Sequence, residues 1–137
     1  MSSAPRPKLL LVDDESANLE LLCALLAEEY TLTVAKSGAQ ALARAASDAP
    51  PDVIVLDVVM PEMDGLEVCR RLKLEARTHD IPVIFATNLQ SEADEERGFA
   101  AGGADYVAKP YRPAVLKVRV ATQVKLVRAL RELAGRA

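Results

Sequence analysis

Asp52-Val53-Ile54-Val55-Leu56-Asp57 is a short apolar run that never alternates and that closes on a carboxylate. A strand with one wet face alternates apolar and polar residues, whereas a strand covered on both faces does not, so 52–56 reads as a central strand of a parallel sheet. Three more apolar runs end on reactive side chains in the same way: Val12-Asp13-Asp14-Glu15, Phe85-Ala86-Thr87 and Val107-Ala108-Lys109-Pro110. As parallel strands of one sheet they bring their carboxyl ends to one edge, where three aspartates, a hydroxyl and an ammonium converge.

The segments between these runs have helical spacing. Lys8–Val12 is the first strand, and Ser16–Glu29 follows with Leu19, Leu22, Cys23 and Leu26 on one face behind Ser16 as the expected cap. Thr31–Ala35 is the second strand and Ser37–Ser47 an alanine-rich helix; Pro50-Pro51 then breaks the chain. Met60-Pro61-Glu62-Met63-Asp64-Gly65 is a loop, and Leu66–Glu75 is the third helix. Ile81–Ala86 and Ala104–Ala108 are the last strands. Between them Ser91–Ala101 is a helix ended by Gly102-Gly103, and Pro113 opens a final helix to about Ala134. Five strand–helix pairs with short connections predict a doubly wound α/β domain of flavodoxin-like type. In the common order 2-1-3-4-5 the winding reverses between strands one and three, which is where Asp13, Asp14 and Asp57 stand.

Composition permits this and excludes much else. At 137 residues, half of them apolar, the chain has enough material for one buried core. Its apolar runs fall far short of the roughly 18 residues that a membrane span needs, and no apolar leader precedes Lys8. Cys23 and Cys69 lack metal-ligand spacing and read as reduced core thiols of a cytoplasmic protein. His79 is the one histidine, too few for zinc. Charge is uneven: residues 1–108 carry nine basic and nineteen acidic side chains, residues 109–137 eight basic and one acidic. That cationic strip lacks a base-reading motif or aromatic platform, so no direct nucleic acid binding is expected.

Three carboxylates within a few ångström raise one another's pKa unless a cation intervenes. Magnesium suits them, since it takes oxygen ligands and keeps waters that a phosphate oxygen can replace. Asp57 could then attack phosphorus and carry an acyl phosphate, while Lys109 and the Thr87 hydroxyl stabilise the equatorial oxygens. Each piece alone has an ordinary reading: Asp-Asp as a solvated turn, Thr87 as a helix cap, Lys-Pro as a loop dipeptide. Their conjunction at successive strand ends is the signal.

Val12-Asp13-Asp14-Glu15, Leu56 through Gly65, Ala86-Thr87, Gly103-Ala104-Asp105-Tyr106 and Lys109-Pro110 together resemble the receiver domains of two-component response regulators, over roughly Lys8 to Gln123. The resemblance implies that Asp57 accepts a phosphoryl group from a sensor histidine kinase or histidine phosphotransfer protein. It implies that Asp14, Asp57 and the Val59 carbonyl hold magnesium, or manganese in its place, with Asp13 reaching it through water. It further implies a Lys109 that pairs with the phosphoryl group, a cis Lys109–Pro110 peptide, and a Thr87 and Tyr106 that move on activation. The readout is then the surface of the fourth helix, fifth strand and fifth helix. Such a domain is a switch and not a turnover enzyme. Asn88 departs from the small residue usual after the switch threonine, which puts access of small phosphodonors in question.

Rival chemistries fit less well. A phosphatase of the haloacid dehalogenase type needs an aspartate at Val59, a flavin carrier needs a phosphate-cradling first loop in place of Asp13-Asp14-Glu15, and no G-x-G-x-x-G follows a strand. A phosphorylation-independent binding module is the alternative within the family.

By this reading residues 1–7 form a tail, 8–123 the receiver, and 124–137 an extension of the last helix, as linker or short coiled coil. Leu116, Val120, Gln123, Val127, Leu130 and Ala134 recur at steps of four and three, so a homodimer through that helix is expected, with the acidic fourth helix meeting Lys117 and Arg119 of a mate. The Glu28-Glu29-Tyr30 region and the long last helix look similar to receivers joined to cyclic-di-GMP enzymes. Val59 and Leu89 should flank the path of water to phosphorus, which predicts a long-lived phosphorylated state.

Overall fold

A computed structural model describes residues 5–88 and 92–135, without the side chain of Glu92. Strands β1 (Lys8–Val12), β2 (Thr31–Ala35), β3 (Val53–Asp57), β4 (Val83–Thr87) and β5 (Asp105–Ala108) alternate with helices α1 (Ser16–Leu26), α2 (Gly38–Ala45), α3 (Gly65–Leu74), α4 (Glu92–Ala100) and α5 (Pro113–Gly135). All neighbouring strands pair parallel in the order β2-β1-β3-β4-β5. This is the expected doubly wound receiver fold.

The period-2 alternation of strand side chains divides the core into two layers. Leu10, Val12, Ile54, Leu56, Val83 and Phe85 meet Ala41 and Ala45 of α2 and Val68, Cys69 and Leu72 of α3. Leu9, Leu11, Val53, Val55, Ile84 and Val107 meet Leu19, Leu22 and Leu26 of α1 and Leu116, Val120 and Val124 of α5. Every residue of β3 is buried, which is why its sequence does not alternate. Truncating a side chain such as Leu11, which is fully covered, would cost about 2–5 kcal/mol.

Several boundaries differ from the sequence reading for local reasons. The cap of α1 is Glu15, not Ser16, and no side chain caps it; Asp13 Oδ1 instead takes the Glu15 N–H in a short turn. Helix α1 stops at Leu26, three residues before the expected Glu29, while Ser37 does cap α2 by accepting from Gln40 N. Gly102, at a φ of 105°, ends α4: Gly103 N donates to Gly98 O and Gly102 N to Phe99 O, the Schellman pattern. Thr87 is the last residue of β4 and not a helix cap.

The last helix corrects a second expectation. Leu116, Val120, Gln123 and Val127 are buried within this chain, so most of the four–three seam packs on its own sheet and on α1. The buried residues of α5 run from Leu116 to Val127. The exposed apolar residues Val118, Leu126 and Leu133 share a different face of the helix, and Leu130, an exposed member of the seam, borders it. Arg119, expected to reach a mate, donates to both carboxylate oxygens of Asp105 at 2.9 Å.

Candidate functional site

Register brings the reactive residues together. Val12 pairs with Leu56, so Asp13 and Asp57 follow at the same level. Asp57 pairs with Ala86 and Thr87 with Ala108, one residue before Lys109. A backbone hydrogen bond from Lys109 N to Thr87 O, 2.8 Å, ties the last two strand ends. Asp13 and Asp57 are buried at 0% and 5% exposure, and Asp14 is half-buried.

One carboxylate oxygen from each of Asp13, Asp14 and Asp57 lies within 4.8 Å of the others. The Lys109 ammonium sits against two of them, 2.9 Å from Asp13 Oδ2 and 3.1 Å from Asp57 Oδ1. The Lys109–Pro110 peptide is cis, as expected. Burial pushes the Asp57 carboxyl above its ordinary range. The hydrogen bond with Lys109 opposes that rise, the charge on Asp13 adds to it, and the Lys109 charge and a backbone hydrogen bond with Val59 oppose it. For Lys109 burial works downward, yet the hydrogen bonds to Asp13 and Asp57 outweigh it and hold the amine above its ordinary value. The cluster therefore carries more negative charge than one ammonium neutralises, in an all-oxygen donor set suited to a hard dication.

The loop after β3 is shaped by Gly65. A Cβ there would lie 2.2 Å from the Asp57 carbonyl oxygen, so only glycine lets the start of α3 close against the end of β3. Gly65 N bonds Val58 O at 2.8 Å, and Asp64 caps α3 through Glu67 N at 2.9 Å. Glu62 takes a positive φ of 67° to make the bend.

Thr87 is 6% exposed. It shares the wall of a cavity of about 360 Å³ with Val58, Met60, Leu66, Phe85, Phe99 and Tyr106. Tyr106 is half-buried and stacks edge-on against Phe99, with centroids 5.9 Å apart. Asn88 is exposed. Val59 is 60% exposed and lines the same cavity as Thr87; Leu89 lies outside the described residues. The structure thus gathers Asp13, Asp14, Asp57, Thr87 and Lys109 as the sequence suggested. What the sequence reading did not find is the close approach of Gly65 to Asp57, whose signal was the glycine closing the loop.

Comparison with known proteins agrees with this geometry. The family model "Response regulator receiver domain" matches residues 9–121. The chain is 46% identical, over 88% of its length, to "Response regulator PleD" of Caulobacter vibrioides, of which it covers 27%. It is 41% identical, over 85% of its length, to a "Probable cyclic di-GMP phosphodiesterase" of Vibrio cholerae, of which it covers 26%. The chain thus spans about a quarter of the length of these relatives. Among solved structures, a putative response regulator from Chloroflexus aurantiacus matches with a TM-score of 0.82 at 32% identity, over 89% of this chain and 99% of that one.

Proposed function

Because this chain belongs to the response regulator receiver domain family of two-component systems, we propose that it is a phosphorylation-dependent switch with Asp57 as the phosphoacceptor. The observation that carries the reading is the buried Asp57 carboxylate held 3.1 Å from Lys109 at the apex of an aspartate cluster. An Asp57 oxygen attacks phosphorus, and the bond from phosphorus to the nitrogen of a phosphohistidine on the kinase or phosphotransfer protein breaks. Asp14, Asp57 and the Val59 carbonyl would hold magnesium, with manganese as substitute and Asp13 reaching it through water, and the ion would offset charge on the phosphoryl oxygens. Lys109 would leave its aspartate partners for the new phosphoryl oxygens, and the Thr87 hydroxyl would donate to another.

The group added carries a charge near −2, so the hydrogen bonds it makes exist in one state only. Thr87 and Tyr106 line one cavity, which gives Tyr106 space to follow Thr87 and alter the α4-β5-α5 surface. The domain accepts and slowly loses a phosphoryl group without turning over an external substrate. No helix among the described residues is long and apolar enough to cross a membrane, and a cytoplasmic setting fits a kinase partner. Residues 124–137 are read as the connection to an output. The likeness to a protein named as a probable cyclic di-GMP phosphodiesterase favours an output in that signalling class. Self-association, where phosphorylation promotes it, would use the exposed residues Val118, Leu126 and Leu133 with Leu130 at the open end of the seam, rather than the buried seam residues.

Incubation with acetyl phosphate, in magnesium and in EDTA, tests the reading by intact mass. One phosphoryl group in magnesium and none in EDTA is expected. A chain that takes none from acetyl phosphate or from a phosphorylated kinase would be a phosphorylation-independent binding module instead.

A further inference from the structure

The cavity of about 360 Å³ beside Thr87 has the make-up of a ligand site in its own right. Its wall takes Phe85 from β4, Tyr106 from β5 and Phe99 from α4. Phe99 and Tyr106 stand edge to face at 70°, with centroids 5.9 Å apart, so two rings present different surfaces to one space. Phe85 is buried, whereas Phe99 is 49% exposed, so the cavity runs from the core to the surface. A mostly apolar hollow of this size, with a few polar groups on its wall, is the ordinary form of a small-ligand site.

Those polar groups are mainly of one sign. Asp64, Asp94, Glu95 and Asp105 line the cavity against a single cation, Arg97. Arg97 pairs with Asp94, Arg119 holds Asp105, and Asp64 caps α3 through Glu67 N. Glu95 is half-buried and has no hydrogen-bond or ion-pair partner among the described residues. A carboxylate partly withdrawn from water beside aromatic rings is complementary to an organic cation. It supplies opposite charge, while the rings cover an apolar body and attract an ammonium through their quadrupoles. An anion would meet like charge there, and a neutral ligand would desolvate Glu95 without compensation.

We propose that this cavity binds a small amphiphilic ammonium, its aromatic or branched aliphatic body among Phe85, Phe99 and Tyr106 and its charged head at Glu95. Such a ligand occupies the space into which the Tyr106 ring would turn. Ligand and phosphorylation then oppose one another, and by linkage each weakens the other by the same factor. The binding rests on the cavity alone, and the opposition rests on the reading of Tyr106 as part of the switch.

Phenethylammonium and its neutral counterpart phenethyl alcohol are titrated into the wild type and Glu95→Gln, with amide shifts followed by NMR. The wild-type titrations are repeated with magnesium and beryllofluoride. The cation is expected to bind saturably, with Kd in about the millimolar range, and about two- to fivefold more tightly than the alcohol. Glu95→Gln should lose that factor for the cation and bind the alcohol as the wild type does. Beryllofluoride should weaken both ligands. No saturable binding, an alcohol that binds as well as the cation, or a cation affinity unchanged in Glu95→Gln would overturn the inference. So would shifts centred away from the residues that line the cavity. Unchanged affinities in a protein shown by fluorine NMR to hold beryllofluoride would overturn the opposition to phosphorylation. A protein that holds no beryllofluoride would overturn the reading of the switch and leave the cation site standing.

Discussion

Replacing Lys109 by methionine removes the charge that neutralises the Asp13–Asp57 pair and keeps most of the aliphatic stem. The ammonium lies 2.9 Å from Asp13 and 3.1 Å from Asp57, with 18% of the lysine side chain exposed against 1% and 7% for the two carboxylates. At an effective dielectric near 20, each contact at about 3 Å is worth roughly 5 kcal/mol of gross attraction, most of it offset by desolvation. Removing one partner of a buried pair costs about 3–5 kcal/mol, because the other charge stays buried. The partial exposure of Lys109 points to the low end, about 3 kcal/mol, or roughly 10 °C for a domain of this size. A dication on the aspartates would take over the neutralisation. Lys109→Met is therefore expected to melt well below the wild type in EDTA, to recover most of the difference in saturating magnesium, and to bind magnesium more tightly. Calorimetric melts in both conditions decide it. An equal loss with and without magnesium, or no loss in EDTA, would refute the view that Lys109 and the cation neutralise the same carboxylates.

Other consequences can be measured on the same protein. The folded-state carboxyl of Asp57 is raised above its ordinary value of 3.8, so its contribution to stability is intact below that value and is lost as pH rises through the folded pKa. In EDTA, Asp57→Asn should therefore gain in stability relative to the wild type as pH rises from below 3.8 to 7; a variant that loses ground over that range in urea titrations would contradict this. Gly65→Ala places a Cβ 2.2 Å from the Asp57 carbonyl and is expected to cost about 3 kcal/mol and to weaken magnesium binding, and a wild-type urea midpoint would show that the loop yields. Val59→Asn puts an amide at an exposed position beside the pocket and should shorten the lifetime of the phosphorylated state by up to about tenfold, or ~1.4 kcal/mol of barrier. An unchanged or longer lifetime, followed by loss of phosphate, would remove Val59 from any role in water access.

How far the sequence could be read depends on what each residue answers to. Val53 to Leu56 are apolar because both faces of β3 are covered, and that requirement is visible in the letters themselves. The level of Asp13 with Asp57 and the nearness of Thr87 to Lys109 then follow from parallel register. Events that turn on competition between partners were not legible. Ser16 is a good capping residue, but Asp13 takes the Glu15 N–H and the helix begins without a side-chain cap. The recurrence of Leu116, Val120, Gln123 and Val127 suits a seam between chains and equally the face of α5 that packs on its own sheet; only the fold decides. Arg119 could pair with any acidic residue in reach, and Asp105 in the same chain holds it. Likewise Lys-Pro in the sequence gives no hint of which carboxylates the lysine meets while no phosphoryl group is bound.

The central claim is that Asp57 itself carries the phosphoryl group. Borohydride converts an aspartyl phosphate to homoserine, so treatment after acetyl phosphate and magnesium, followed by peptide mass mapping, marks the residue that was modified. The account predicts homoserine at position 57 in the wild type, none after incubation in EDTA, and none anywhere in Asp57→Asn. Homoserine at Asp13 or Asp14 with position 57 unmodified, or phosphoryl incorporation in Asp57→Asn equal to that of the wild type, would contradict it.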